Sequence, residues 1–426
     1  MKRPALINNK TINIDILGVL FLLFFCVYYG HADIIVHIRN FALNIKHVLF
    51  IALIVFAFLF IVADLIKGRL NFKQYSFFLW YAVFYLYCCI SLLWTINYDI
   101  SAEMLTSMLN HVAALFIVVY YVNSEAKFFR IIKIQLFAFC YMALRLIIFL
   151  PEKHLFGRGR NKFYINEITG EHYNGLAILL TVGIIIAAFI FLKTKKRLVL
   201  VLIPIFYYVI FIGGSRQGVI IPVAGLFAMY AMAKGIKQIY KSIIVLALII
   251  AGFIVYINSD FPGANSLLSL VNGFINETGE GSFNERALFR KWAMSMFTQR
   301  PVFGWGINSF KAYLKNINYY NLYNHCHNTY LELLSGLGVI GFTIYFSMPF
   351  RILIRAFKHL AAKNAYVVFS LAVCFTLLLF GYGESLIAGS GLTSAMVIFY
   401  AYYALKIHSG NLKTIKKEEN TGDNNA

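Results

Sequence analysis

Ile45-Lys46-His47-Val48-Leu49-Phe50-Ile51-Ala52-Leu53-Ile54-Val55-Phe56-Ala57-Phe58-Leu59-Phe60-Ile61-Val62-Ala63-Asp64-Leu65-Ile66 is an apolar run with no glycine or proline and no alternation of apolar with polar residues. A hydrocarbon core about 30 Å thick takes roughly 20 helical residues to cross, and this run has that length. Strands of a membrane barrel alternate apolar and polar side chains, which this run does not. It reads as a helix, in which the segment satisfies its own backbone polar groups.

Runs of the same kind recur outward from it. They are placed at Ile14–Tyr29, Ile45–Ile66, Phe77–Trp94, Met104–Tyr121, Ile131–Leu150, Asn174–Leu192, Leu198–Gly213, Gly218–Ala233, Ser242–Ile257, Asn328–Phe350, Ala365–Gly381 and Leu386–Leu405. The seventh and eighth read as a helical hairpin turning at Gly213-Gly214-Ser215-Arg216. The expected fold is therefore all-α: a polytopic integral membrane protein of about twelve transmembrane helices. Composition agrees, because 60% of the residues are hydrophobic and only 13% charged, against roughly a quarter charged in a water-soluble domain.

Positive charge orients the spans. Lys67/Arg69/Lys73, Lys127/Arg130, Lys193/Lys195/Lys196/Arg197, Lys234/Lys237/Lys241 and Arg351/Arg355/Lys358/Lys363 all fall in connections on one side. Short connections on the other, Asn97–Glu103 and Tyr382–Ser385, hold acids and no Lys or Arg. This asymmetry places both termini in the cytoplasm, with the opening run as an uncleaved first span. It also accounts for most of the formal net charge of +20 without a nucleic-acid partner, since no basic soluble module is visible. Five of the six cysteines lie inside spans, so a disulfide framework is not expected.

Two connections on the non-cytoplasmic side are long. Pro151–Tyr173 carries Arg158, Arg160 and Lys162, and Asn258–His327 runs for about seventy residues. The chain thus divides into nine spans (1–257), a long extracytoplasmic loop (258–327), three further spans (328–405) and a cytoplasmic tail (406–426). Within the long loop, Asn284–Arg300 has helical periodicity, with Leu288, Trp292, Ala293 and Met296 on one stripe. That amphipathic pattern predicts a helix lying in the interface with its apolar face among headgroups. Arg286, Arg290, Lys291 and Arg300 sit on the side where basic residues are not needed for topology, which points to an anionic ligand; long loops also translocate regardless of charge.

Several residues could carry chemistry. Arg216 stands at a span end among glycines, where its planar fork suits phosphate or only snorkels to the interface; Arg145, inside the fifth span, is a similar candidate. In Asn324-His325-Cys326-His327-Asn328-Thr329-Tyr330, His327 tops a helical stripe of Leu331, Leu334, Gly338 and Gly341, whose glycines let another helix pack close. An imidazole there can take a proton, or it can be a plain interfacial histidine. A zinc site at His325-Cys326-His327 lacks the third and fourth ligands that tight sites need, so no metal is expected. Glu332 and Glu384 are carboxylates near the outer ends of the last spans, each a possible base or arginine partner. No Asp-x-Asp, Walker or His-Glu-x-x-His pattern occurs, which disfavours a divalent-metal nucleotide-sugar transferase.

On these residues the chain resembles the O-antigen polymerase/ligase (Wzy/WaaL) family. Arg216, Arg286, the Pro301-Val302-Phe303-Gly304-Trp305-Gly306 turn, His327-Asn328-Thr329-Tyr330 and Gly338 recur in the family's order. The resemblance implies a GT-C-like, metal-independent inverting glycosyltransferase of the bacterial inner membrane, without cofactor, acting on the periplasmic or outer face. Its donor would be a glycan on undecaprenyl diphosphate, and its acceptor a second glycan or lipid A-core; other polysaccharide assembly proteins would be partners. By the same resemblance Arg216 and Arg286 would grip the diphosphate and His327 would deprotonate the acceptor hydroxyl. Arg145, Arg158, Arg160, Arg290, Glu332 and Glu384 are the further candidates for binding diphosphate or glycan. Thr329-Tyr330-Leu331-Glu332-Leu333-Leu334 leans towards polymerases over ligases. The alternative of another class is a secondary transporter, which would hold its ionisable groups near the bilayer midplane.

Overall fold

The computed structural model describes residues 15–30, 35–38, 41–69, 75–150, 162–169, 172–234, 280–319, 325–387 and 391–410. Its helices are α1 (Ile16–Gly30), α2 (Ile45–Ile66), α3 (Ser76–Ile90), α4 (Tyr98–Tyr121), α5 (Glu125–Phe149), α6 (Lys162–Thr169) and α7 (Tyr173–Thr194). They continue as α8 (Leu202–Gly213), α9 (Arg216–Lys234), α10 (Glu280–Gln299), α11 (Ser309–Asn316), α12 (Thr329–Lys358), α13 (Ala365–Gly383) and α14 (Gly391–His408). A short antiparallel hairpin of β1 (Ile35–Ile38) and β2 (Phe41–Asn44), not read from the sequence, joins α1 to α2 with Ile38 opposite Phe41. Seven of the helices are long and apolar enough to cross a membrane, and α1, α8 and α9 are shorter apolar helices. The chain is a multi-pass membrane protein. The expected span Ser242–Ile257 lies outside the described residues, and the last begins at Gly391 rather than Leu386.

Burial sorts the helices. In α7 78% of the best apolar window is buried inside the protein and in α13 72%, whereas α2 buries 11%. The first two are the core, with α5, α8 and α9 packed on α7 and α9, α12 and α14 packed on α13. Along α2 only Leu53 and Ala57 are buried, and Ile51 and Phe58 are exposed, as suits a helix facing lipid.

The element that positions the site is α12, and it is not one straight helix. Gly338 sits at φ 65°, ψ −169° inside it. Such a break would leave backbone groups unpaired at membrane depth unless protein supplies partners. The turn Pro301–Gly306 supplies most of them. Trp305 N donates to Ser335 O (3.0 Å) and Gly306 N to Gly336 O (2.7 Å), while Val339 N donates to Pro301 O (2.9 Å). The Tyr87 hydroxyl of α3 takes the Leu337 carbonyl at 3.1 Å. Backbone lies on backbone here, so side chains are excluded: a Cβ on Gly338 would fall 2.2 Å from Val302 O, and one on Gly304 2.4 Å from the Gly336 carbonyl carbon. This corrects the continuous stripe from His327 to Gly341. His327 precedes the helix, and Gly338 admits a turn of the long loop where the sequence suggested another helix.

The loop helix α10 also differs from expectation. Ala293 and Met296 are buried and Trp292 packs against the same cluster, as the stripe predicts, while Leu288 is exposed and Phe289 is buried in its place. That face packs with Phe310 and Leu314 of α11 and with Cys326 in a small second core. The loop provides its own apolar partner, so α10 covers protein where headgroups were expected.

Candidate active site

The chain enters the site through a strained corner. His327 has φ 51°, a left-handed value uncommon outside glycine. Asn328 follows as N-cap of α12, its side chain accepting from Leu331 N at 2.9 Å. The same side chain donates to Tyr382 O at 3.0 Å. Thr329 then ties the corner to the end of α13: its N and Oγ1 both donate to Glu384 O (3.1 and 2.7 Å), and Oγ1 accepts from Leu386 N (2.9 Å). The His-Asn-Thr block thereby clamps the α13–α14 connection, and the clamp delivers Glu384.

Glu384 is 5% exposed and is the hub of the site. Its Oε2 lies 3.3 Å from His327 Nδ1 and 3.6 Å from His325 Nε2. Its Oε1 lies 3.6 Å from Arg286 Nη2 and accepts from Asn174 Nδ2, in the first turn of α7. Arg290, one turn along α10 from Arg286, lies over the Tyr382 ring at 4.8 Å and donates to its carbonyl at 3.2 Å. Burial alone would raise the Glu384 pKa, but hydrogen bonds and charge from the two histidines hold it well below the usual carboxylate range. Burial lowers the pKa of His327, and Glu384 only partly offsets that. His325 is pushed the other way: burial disfavours its charge, yet hydrogen bonding to Glu384 and the charges of Glu332 and Glu384 outweigh it. The cluster thus favours the ionised form of Glu384, presses His325 towards its charged form and presses His327 towards its neutral one.

The other sequence candidates are placed as follows. Arg216 is the first residue of α9, and its side chain lies outside the described residues, as do Arg158 and Arg160 entirely. Its neighbour Gln217 packs on Gly383 so closely that a Cβ there would fall 1.4 Å from Gln217 Nε2. The start of α9 therefore abuts the residue before Glu384. Glu332 hydrogen-bonds Ser385 and leaves Oε2 buried beside a small cavity lined by Met104, Asn308, Leu333 and Ile387. Arg145 makes no hydrogen bond or ion pair with any described residue, and the fold does not tie it to the cluster.

Metal binding has a firmer geometric basis than the sequence suggested. Glu384 supplies the third ligand that His325-Cys326-His327 lacked, and the three donor atoms lie within 4.8 Å of one another. Arg286 on the same carboxylate already brings the positive charge an ion would bring, which makes the trio a poor cation site. Cys326 points elsewhere, its thiol 3.1 Å from Asn328 O and its pKa raised by burial.

Residues 199–346 match the family model described as O-antigen ligase, Wzy_C. No curated protein matches the chain. The Wzy_C segment includes Arg216, Arg286, His327 and the broken part of α12, which are the residues that carried the resemblance. Asn174 and Glu384 lie outside it, on either side. Asn174 went unmarked in the sequence except as the start of a span. Its one signal was an amide at the head of an otherwise apolar run, a residue costly to bury without a partner.

Proposed function

We propose that the protein polymerises oligosaccharide repeat units carried on undecaprenyl diphosphate into a surface polysaccharide, by metal-independent inverting transfer. The observation that carries this is the buried His327–Glu384 pair with Arg286 on the same carboxylate and the start of α9 alongside. Arg286 and Arg216 hold the donor diphosphate and balance the charge that grows on it as the glycosidic C–O bond breaks, which is electrostatic work suited to fixed guanidinium groups. With Nδ1 engaged by Glu384, Nε2 is the nitrogen of His327 that takes the acceptor hydroxyl proton. The acceptor oxygen attacks the anomeric carbon from the face opposite the leaving group, and undecaprenyl diphosphate departs. His327 ends with the proton and Glu384 stabilises the imidazolium.

The site lies at the end of the bundle opposite Lys127, Arg130 and Lys193, the end that positive charge assigns to the cytoplasm, which supports an extracytoplasmic active site. It also lies at helix ends, not at a midplane break, which supports surface chemistry over transport. The second reading is a ligase that moves finished glycan onto lipid A-core, favoured by the description of the matched family.

Glycan profiling of a deletion strain, complemented with wild type or His327→Ala, separates these readings. A polymerase leaves surface glycans one repeat long when it is absent. A ligase leaves full-length chains stranded on the lipid carrier. An unchanged profile would overturn both.

A further inference from the structure

We infer that Asn174 is a positioning residue of the transfer reaction: it fixes Glu384 so that one oxygen stays on His327 while Arg286 is released to the diphosphate. This rests on the proposed reading of His327 and Arg286. The geometry divides the carboxylate between two tasks. Oε2 faces both histidines, and Oε1 is shared by Asn174 and Arg286. Of the two donors on Oε1, Asn174 is in hydrogen-bond contact whereas Arg286 Nη2 stands at 3.6 Å, beyond a good hydrogen bond. They also differ in exposure. Asn174 is 6% exposed and sits in the first turn of α7, whose best apolar window is 78% buried, while the Arg286 side chain is 28% exposed on a loop helix.

Arg286 therefore faces where a ligand arrives, and Asn174 does not. A guanidinium that turns onto a diphosphate withdraws from Oε1, and an abandoned oxygen on a buried carboxylate is expensive. Without a second donor, Glu384 would swing to recover a partner and drag His327 Nδ1 out of line. Asn174 is that second donor. It is neutral, so it does not compete with Arg286 for the anion, and its short side chain allows little play. Its placement makes the same argument from the fold. The rest of α7 is almost wholly apolar and packs against α13, α8 and α9, and the one buried amide of its first turn is spent on Glu384.

The test compares purified wild type, Asn174→Ala, Asn174→Asp, Glu384→Gln and Asn174→Ala/Glu384→Gln in nanodiscs, with lipid-linked repeat units as substrate. Asn174→Asp keeps the volume and replaces the donor with a carboxylate, so it guards against an Ala variant that fails to fold. The expected result is a loss of kcat of roughly tenfold or more in both single variants of Asn174, with KM for the donor within about twofold. The double variant should lose no more than Glu384→Gln alone, because both changes break one unit. Additive losses, a change confined to KM, or wild-type kcat in Asn174→Asp would overturn the inference. If His327→Ala were itself active, the catalytic reading would fail. An inactive His327→Ala beside wild-type Asn174 variants would sink the inference alone.

Discussion

At one end of the bundle Asp15 accepts from Tyr121, Arg130 and the Gly18 amide; at the other Glu384 accepts from Asn174 and faces His325, His327 and Arg286. Both carboxylates tie distant helices together, and in both a carboxylate takes several donors. They differ in exposure to solvent. The Asp15 side chain is 27% exposed and its Arg130 partner 51%, so water screens the pair. The Glu384 side chain is 7% exposed and faces the Arg286 guanidinium and the imidazoles of His325 and His327, with Glu332 also acting on His325. A buried carboxylate that gathers two imidazoles and a part-exposed guanidinium holds titratable groups together where a ligand can meet them. A half-exposed ion pair chiefly joins helices. The first arrangement reads as chemistry and the second as anchoring.

The largest expected effect breaks the Glu384 end. His327→Ala and Glu384→Gln should each lower transfer by roughly 10²–10⁴-fold, the usual range for a positioned proton acceptor. Both should be read in a purified glycan-transfer assay with expression and monodispersity unchanged. The same assay supplies a pH test. With His327 as the proposed base, its lowered pKa should place the acid limb of the rate profile below the ordinary histidine value of 6.5. Glu384 raises that pKa, so the residual activity of Glu384→Gln should fall off at still lower pH; a limb that moves up would contradict the pairing. Chelator should change nothing, and strong inhibition by it would return the metal trio to consideration.

Next in size, Arg286→Lys should cost roughly tenfold or more in kcat, because Lys keeps the charge and loses the planar fork. Full activity in Arg286→Lys would mean that only charge matters there. Gly338→Ala tests the joint that holds the Glu384 end in place. A left-handed φ costs a non-glycine residue about 1–3 kcal/mol, and the added Cβ would meet Val302 O in addition. Folded protein recovered from the membrane should fall, and a wild-type thermal midpoint would sink the account of the α12 break. The smallest effect belongs to the Asp15 end. Arg130→Gln should leave transfer unchanged and lower stability by no more than ~1 kcal/mol, the scale of an exposed ion pair.

Much of this molecule was legible in its sequence, unevenly. Span positions followed from run length and hydropathy, because a segment in lipid must satisfy its own backbone whatever its neighbours are. The second span was read to the residue, and the hairpin turn before Arg216 fell where glycines allowed it, with Gly214 at φ 71°. The apolar stripe of α10 was read except for Leu288, but its partner was misjudged, because α11 arrives later in the chain. The stripe through Gly338 was misjudged because helical spacing says nothing about where a helix breaks.

By itself, the amino-acid sequence determined that the chain spans a membrane many times, and marked His327 and Arg286 as candidates. Those are properties of local runs and short motifs. Only the tertiary structure decided that Glu384 joins His327 across 57 positions and that Asn174 joins Glu384 across 210. It alone decided that the turn at Pro301–Gly306 fills the gap in α12. The physical reason is common to all three: a buried polar group takes whichever donor the fold brings within 3 Å or so, and no local pattern records which one that is.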